Sequence, residues 1–172
     1  MEKINKLKKI FKKEKIDGYI VPKNDEFFNE YILDHNDRLN FISNFSGSYG
    51  LALILKEKNY LFVDGRYTLQ ANNQSGKSYK IVTVPGKMPS DILKEKKISI
   101  GFDPNLFTKK TLTVFFGKNE CVYKPIINNL IDEIWQRKIK KDQSKFFMLP
   151  NRSVSEKYQS KINQIAYYLK KK

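Results

Sequence analysis

Two apolar runs, Leu-Ala-Leu-Ile-Leu at residues 51–55 and Tyr-Leu-Phe-Val at residues 60–63, are separated only by Lys-Glu-Lys-Asn. Short runs rich in branched and aromatic side chains read as strands, and a polar link of this length fits a hairpin. The second run ends on Asp64-Gly65-Arg66-Tyr67 and passes into Thr-Leu-Gln-Ala, which turns helical. A sheet is therefore expected, and the remaining chain must supply its other strands and the helices that cover it.

The flanking sequence does so. Ile4, Leu7, Ile10 and Phe11 recur at helical spacing with lysines opposite, which predicts an amphipathic surface helix over residues 2–15. Asp17-Gly18 ends it, and Tyr-Ile-Val-Pro at 19–22 reads as a short strand stopped by proline. Residues 24–36 are expected to hold a helical turn or two, with Phe27, Phe28, Tyr31 and Ile32 inward. Further strands are expected at 79–84, 98–102 and 121–124. A short helix begins near Pro89-Ser90, a second is capped by Thr108 and stopped by Gly117, and a third covers 128–136. Helices interleaved with short strands argue an α/β class, a mixed sheet flanked by helices. No internal repeat stands out.

The expected organisation has three parts: residues 1–137 as one α/β domain, 138–152 as a charged linker with a short strand, and 153–172 as a C-terminal helix. In that helix Tyr158, Ile162, Ile165, Ala166 and Leu169 share a face, and Glu156 is placed for a capping box with Ser153. An apolar face at the end of a linker needs a partner. Either it folds back on the domain or it opens a second one; the second is the expectation.

Composition narrows the function. At 172 residues and 40% hydrophobic, the chain can bury a core without disulfides or metals. No run approaches the ~18–20 apolar residues of a membrane span. The single cysteine, Cys121, cannot pair internally, which fits a reducing compartment, and a cytoplasmic location is expected. The net charge of +15 comes almost wholly from lysine, the arginines being only Arg38, Arg66, Arg137 and Arg152. A lysine-rich module for nucleic acid or acidic surfaces is the alternative reading, disfavoured because such readers usually use the arginine fork too.

Catalytic signals are sparse. Gly47-Ser48-Tyr49-Gly50 has the outline of a nucleic-acid-clamping loop but carries no basic residue and enters a strand. Ser75 to Ser78 ends like a phosphate-binding loop, yet the leading glycine position is Ala71 and the order of elements is reversed. His35 is the lone histidine, and the acids show no paired metal-ligand spacing. Asp64-Gly65-Arg66 is also, on its own, an ordinary strand-to-helix turn.

Taken jointly, the motifs resemble the N-terminal domain of Xaa-Pro aminopeptidases, within the creatinase/prolidase group. The matching residues are Ile20-Val21-Pro22, Asp25, Glu30-Tyr31, Arg38, Phe41-Ile42-Ser43, Phe45, Gly47-Ser48, Gly50, Asp64-Gly65-Arg66-Tyr67, Leu69-Gln70-Ala71, Gly101, Asp103-Pro104 and Asn129 to Asp132, with Trp135 after them. The sequence departs from the family's usual pattern at Phe27 (His), Asn44 (Gly), Tyr49 (a small residue), Val63 (Thr or similar) and Asn36 (often Asp). The resemblance implies a creatinase N-terminal, ribonuclease H-like fold. It implies a hydrolase whose chemistry lies elsewhere, in a catalytic domain that holds two divalent metals, usually manganese, and removes a residue preceding proline. It further implies no catalytic residue, cofactor or metal ligand in this chain, a role in shaping the substrate cleft and the dimer interface, and Asp64, Arg66 and Tyr67 as the residues beside the cleft or the catalytic domain. The chain would then be a fragment of a longer homodimeric enzyme or a product that has lost its catalytic half, and residues from Phe146 would begin a second, similarly folded domain. Its substrates would be peptides with proline second.

Overall fold

The computed structural model describes residues 1–117, 119–137, 145 and 147–171. The chain divides into two units, Met1–Ile139 and Lys140–Lys172.

The first unit is built on a six-stranded sheet. Its strands are β1 (Gly18–Pro22), β2 (Leu51–Leu55), β3 (Asn59–Asp64), β4 (Lys80–Val84), β5 (Ser99–Phe102) and β6 (Val122–Pro125), in the order β4-β3-β2-β1-β5-β6. The hairpin expected from the two apolar runs is present: β2 and β3 are antiparallel, with Leu51 opposite Phe62 and Leu53 opposite Tyr60. β2 is also antiparallel to β1, whereas β1–β5, β5–β6 and β3–β4 are parallel. Every strand except β2 therefore runs the same way, and the carboxyl ends of five strands share one edge. Open α/β sheets bind ligands outside that edge. Asp64 stands on it.

Side-chain alternation along the strands splits the core in two. Tyr19, Val21, Ala52, Ile54, Leu61 and Val63 face a layer formed by α1 (Glu2–Glu14), α2 (Arg38–Ser43), α3 (Thr68–Ser75) and α6 (Leu130–Ile134). Ile20, Leu53, Phe62 and Ile100 face the opposite layer, with α4 (Pro89–Leu93) and α5 (Lys109–Phe116). The lysine-studded first helix forms as its periodicity predicts and buries Ile4, Leu7 and Phe11; each such burial is worth about 1.5–3 kcal/mol against exposure. Thr108 caps α5 by accepting the Thr111 N–H, and Asn129 caps α6.

Three expectations need correction. Residues 25–33 are not helical: only Asp34–Asn36 makes a single 3-10 turn, and Phe27, Phe28 and Tyr31 are exposed. The cause is Asp25, whose buried carboxylate takes the Phe27 and Asn29 N–H groups that a helix would have used. The helix α2, by contrast, was not expected; Asp37 caps it, and its brevity hides any periodicity. In the second unit the C-terminal helix α7 runs Tyr158–Lys170 and so starts later than Ser153, which lies in a 3-10 turn over Asn151–Ser153. Glu156 accepts instead from the side chains of Ser160 and Gln164. No strand forms at 147–150, while 138–144 and Phe146 lie outside the described residues.

Candidate functional site

Asp64 ends β3 with its carboxylate turned back on the next residues. Oδ1 accepts the Arg66 backbone N–H at 2.9 Å, so the acid caps the 3-10 turn Gly65–Tyr67 rather than α3 itself. The Arg66 guanidinium returns to the same carboxylate, with Nη2 at 2.7 Å from Oδ2 and Nε at 3.2 Å from Oδ1. The hydrogen bond from Arg66 holds the Asp64 carboxyl below the usual range and outweighs the partial burial that would raise it. The Arg66 side chain remains 75% exposed, with its guanidinium 5.4 Å from the centre of the Tyr67 ring. An exposed pair of this kind adds little stability, but it presents a fixed cation at the carboxyl edge.

The glycine- and serine-rich loop before β2 supports this corner. A Cβ on Gly47 would sit 2.2 Å from Phe45 Cζ and 2.9 Å from Tyr67 Cδ1, so only glycine permits so close an approach. Ser48 Oγ lies 2.6 Å from the Tyr67 hydroxyl. Ser46 is held by Gln70 and Gln74 of α3, each Nε2 donating to Oγ at 2.9 Å. These contacts account for the motif structurally. Asp64, Arg66 and Tyr67 are thus brought together with Ser48 and Tyr49, whose phenol is pushed up by burial and by the Asp64 charge. This set offers hydrogen bonds and charge to a partner.

A second cluster escaped sequence reasoning. Arg38 is 5% exposed and forks onto Asp132, with Nε to Oδ1 and Nη2 to Oδ2 both at 2.9 Å. Its Nη1 reaches Glu26 at 3.2 Å. Arg137 Nη2 shares Asp132 at 2.6 Å, while Nη1 donates to the His35 carbonyl. Trp135 stacks on Phe41 at 4.7 Å beside this network. The partners lie 94 residues apart in the chain, too far for spacing to betray them.

The remaining reactive groups are quiet. Cys121 is half-buried, and burial pushes its thiol up, the reverse of an activated nucleophile. His35 contributes its backbone carbonyl to Arg137. Among the described residues no group of three or more His, Cys, Asp or Glu side chains is arranged to hold a metal ion.

Comparison with known proteins now decides the family. The creatinase/prolidase N-terminal domain profile matches residues 3–122. The chain belongs to this family. An aminopeptidase P1 from Lotus japonicus is 36% identical over 129 residues, covering 70% of this chain and 19% of that protein. A Neosartorya fischeri protein named "Probable Xaa-Pro aminopeptidase P" is 30% identical over 182 aligned positions, covering 99% of this chain and 28% of its own length. Among solved structures, the X-prolyl aminopeptidase of Caenorhabditis elegans, described as a cytosolic enzyme with a di-nuclear active site, superposes with a TM-score of 0.80 at 27% identity. That match covers 99% of this chain and 31% of the worm enzyme. The N-terminal domain of the peptidase PepQ from Mycobacterium tuberculosis shares the fold, with a TM-score of 0.62 at 19% identity. This creatinase-type domain thus spans under a third of the length of the curated relatives it matches, and its fold class is the one expected from the sequence.

Proposed function

We propose that this chain works as the non-catalytic N-terminal part of an Xaa-Pro aminopeptidase, with catalysis supplied by sequence outside these 172 residues. The observation that carries the reading is the worm X-prolyl aminopeptidase, which matches nearly the whole chain over only 31% of its own length. Peptides with proline second would be the substrates, and the enzyme would act as a cytoplasmic homodimer. The described residues do not fit a metal pair, so two divalent ions, manganese by expectation, would belong to the catalytic part.

In this reading the domain contributes walls rather than chemistry. Arg66, held by Asp64 and flanked by Tyr67, presents a cation towards a peptide carboxylate or towards the catalytic domain, and helps close the cleft and the dimer. The test is hydrolysis of an Xaa-Pro peptide with Mn²⁺, by this chain alone and by a longer form carrying the catalytic part. The chain alone is expected to be inactive, and turnover by it would overturn the reading. In the longer form Arg66→Ala is expected to raise KM by roughly tenfold, the scale of one charge-assisted hydrogen bond. Unchanged kinetics would remove Arg66 from the cleft.

A further inference from the structure

The loop that defied its expected helix is tied down at both ends and bare in the middle. Asp25 is fully buried and accepts three hydrogen bonds: the N–H groups of Phe27 and Asn29, at 3.1 and 3.0 Å, and Asn29 Nδ2 at 2.8 Å. Glu26 is fastened to Arg38, the His35 carbonyl to Arg137, and Asp37 forms a largely buried pair with Lys23. Between these anchors Phe28 is held at φ +54°, a left-handed conformation that costs a non-glycine residue about 1–3 kcal/mol. Phe27 is 71% exposed, Tyr31 85% and Leu33 60%. Strain and exposed apolar area both work against stability, yet buried polar groups maintain them. Such a preformed loop lowers the ordering cost of binding a partner.

Charge indicates which partner. Glu26 also walls a hollow of about 590 Å³ lined by Asp103, Asp132, Glu133, Arg38 and the exposed Ile127. Its four carboxylates face Arg38, with Arg137 on Asp132 and Lys13 near Glu133, which leaves a small negative balance on a chain that carries +15. Nucleic acid and anionic lipid would meet these carboxylates unfavourably. We propose that residues 26–33 and the adjoining hollow form a docking surface for a basic, apolar polypeptide segment. Large apolar side chains settle on Phe27, Tyr31 and Leu33, and a lysine or arginine enters the hollow. The proposal does not depend on the peptidase reading.

The test uses the whole chain and a fluorescein-labelled, end-blocked peptide, Gly-Ser-Leu-Phe-Lys-Leu-Ser-Gly, followed by fluorescence anisotropy. Saturable binding is expected, weakened ~tenfold by Phe27→Ser or Tyr31→Ser, as for anchors at an interface. Glu133→Gln is expected to weaken it several-fold and flatten its salt dependence. Circular dichroism of each variant confirms that the fold is retained. The proposal falls if the peptide does not bind, if glutamate in place of its lysine binds equally well, or if the three variants bind as the parent does. It also falls if phosphatidylserine vesicles bind instead with the same dependence on Phe27 and Tyr31, which would make the loop a membrane contact.

Discussion

Asp132 carries two arginines at once, and its loss is the change this network tolerates least. Asp132→Ala leaves Arg38 buried with only Glu26 and strips Arg137 of its carboxylate. The expected cost is about 3 kcal/mol, the lower end for a broken buried pair because Asp132 is partly exposed. Arg38→Met should cost clearly less, since Asp132 keeps Arg137 and the new side chain fills the space. Urea unfolding of the two variants checks the order, and equal losses would mean that Asp132 is not the shared hinge of the network. Asp25 sets a pH dependence. Burial pushes its carboxyl up, but the hydrogen bonds from Asn29 and Phe27 prevail and hold it below the ordinary value. A group depressed in the folded state stabilises above its unfolded value, about 3.9, and that stability is lost as pH falls through the lower folded value. Stability should therefore fall as the pH drops below about 4, and Asp25→Asn should lessen the fall while lowering stability at pH 7. A urea midpoint for the variant that falls with acid as steeply as in the parent would remove Asp25 as the cause.

At the scale of elements, α5 ends where its sequence says it should. Gly117 takes φ +56° and ψ −151° while its N–H closes onto the Thr113 carbonyl. This backbone region is nearly closed to residues with a Cβ, so Gly117→Ala should cost about 1–3 kcal/mol although no neighbour lies closer than 3.8 Å. A thermal midpoint unchanged by the substitution would show that the turn relaxes freely. Strands and helices such as β2, β3, α1 and α5 were legible because period, capping residue and glycine stop agree locally. The loop at 25–33 was not. Its aromatic residues mimic a short amphipathic helix, and the choice between helix and loop rests on where the Asp25 carboxylate is buried.

For the whole molecule, the cores on both faces of the sheet are complete within the first unit. Every residue of the two buried clusters falls between Ile4 and Trp135. Residues 1–137 expressed alone are therefore expected to unfold in a single cooperative transition, with far- and near-ultraviolet circular dichroism melting together. Non-coincident melts would show that the unit needs the sequence beyond it. The candidate site divides in the same manner as the fold. Asp64, Gly65 and Arg66 were legible because they are neighbours in sequence and belong to a turn. The Arg38–Asp132–Arg137 network and the acidic hollow were not, because their members come from the loop after β1, α2, the turn after β5, α6 and the segment beyond α6.

By itself the sequence determined the class of fold, most of the elements and the corner at Asp64, which follow from periodicity and turn chemistry read over a few residues, and its motifs taken jointly along the chain resembled the family. Only the tertiary structure decided which apolar side chains stay in solvent, which charges are buried and where carboxylates gather on a basic chain. Those outcomes depend on desolvation and on contacts between residues 94 and 102 positions apart, and neither is encoded in any local pattern.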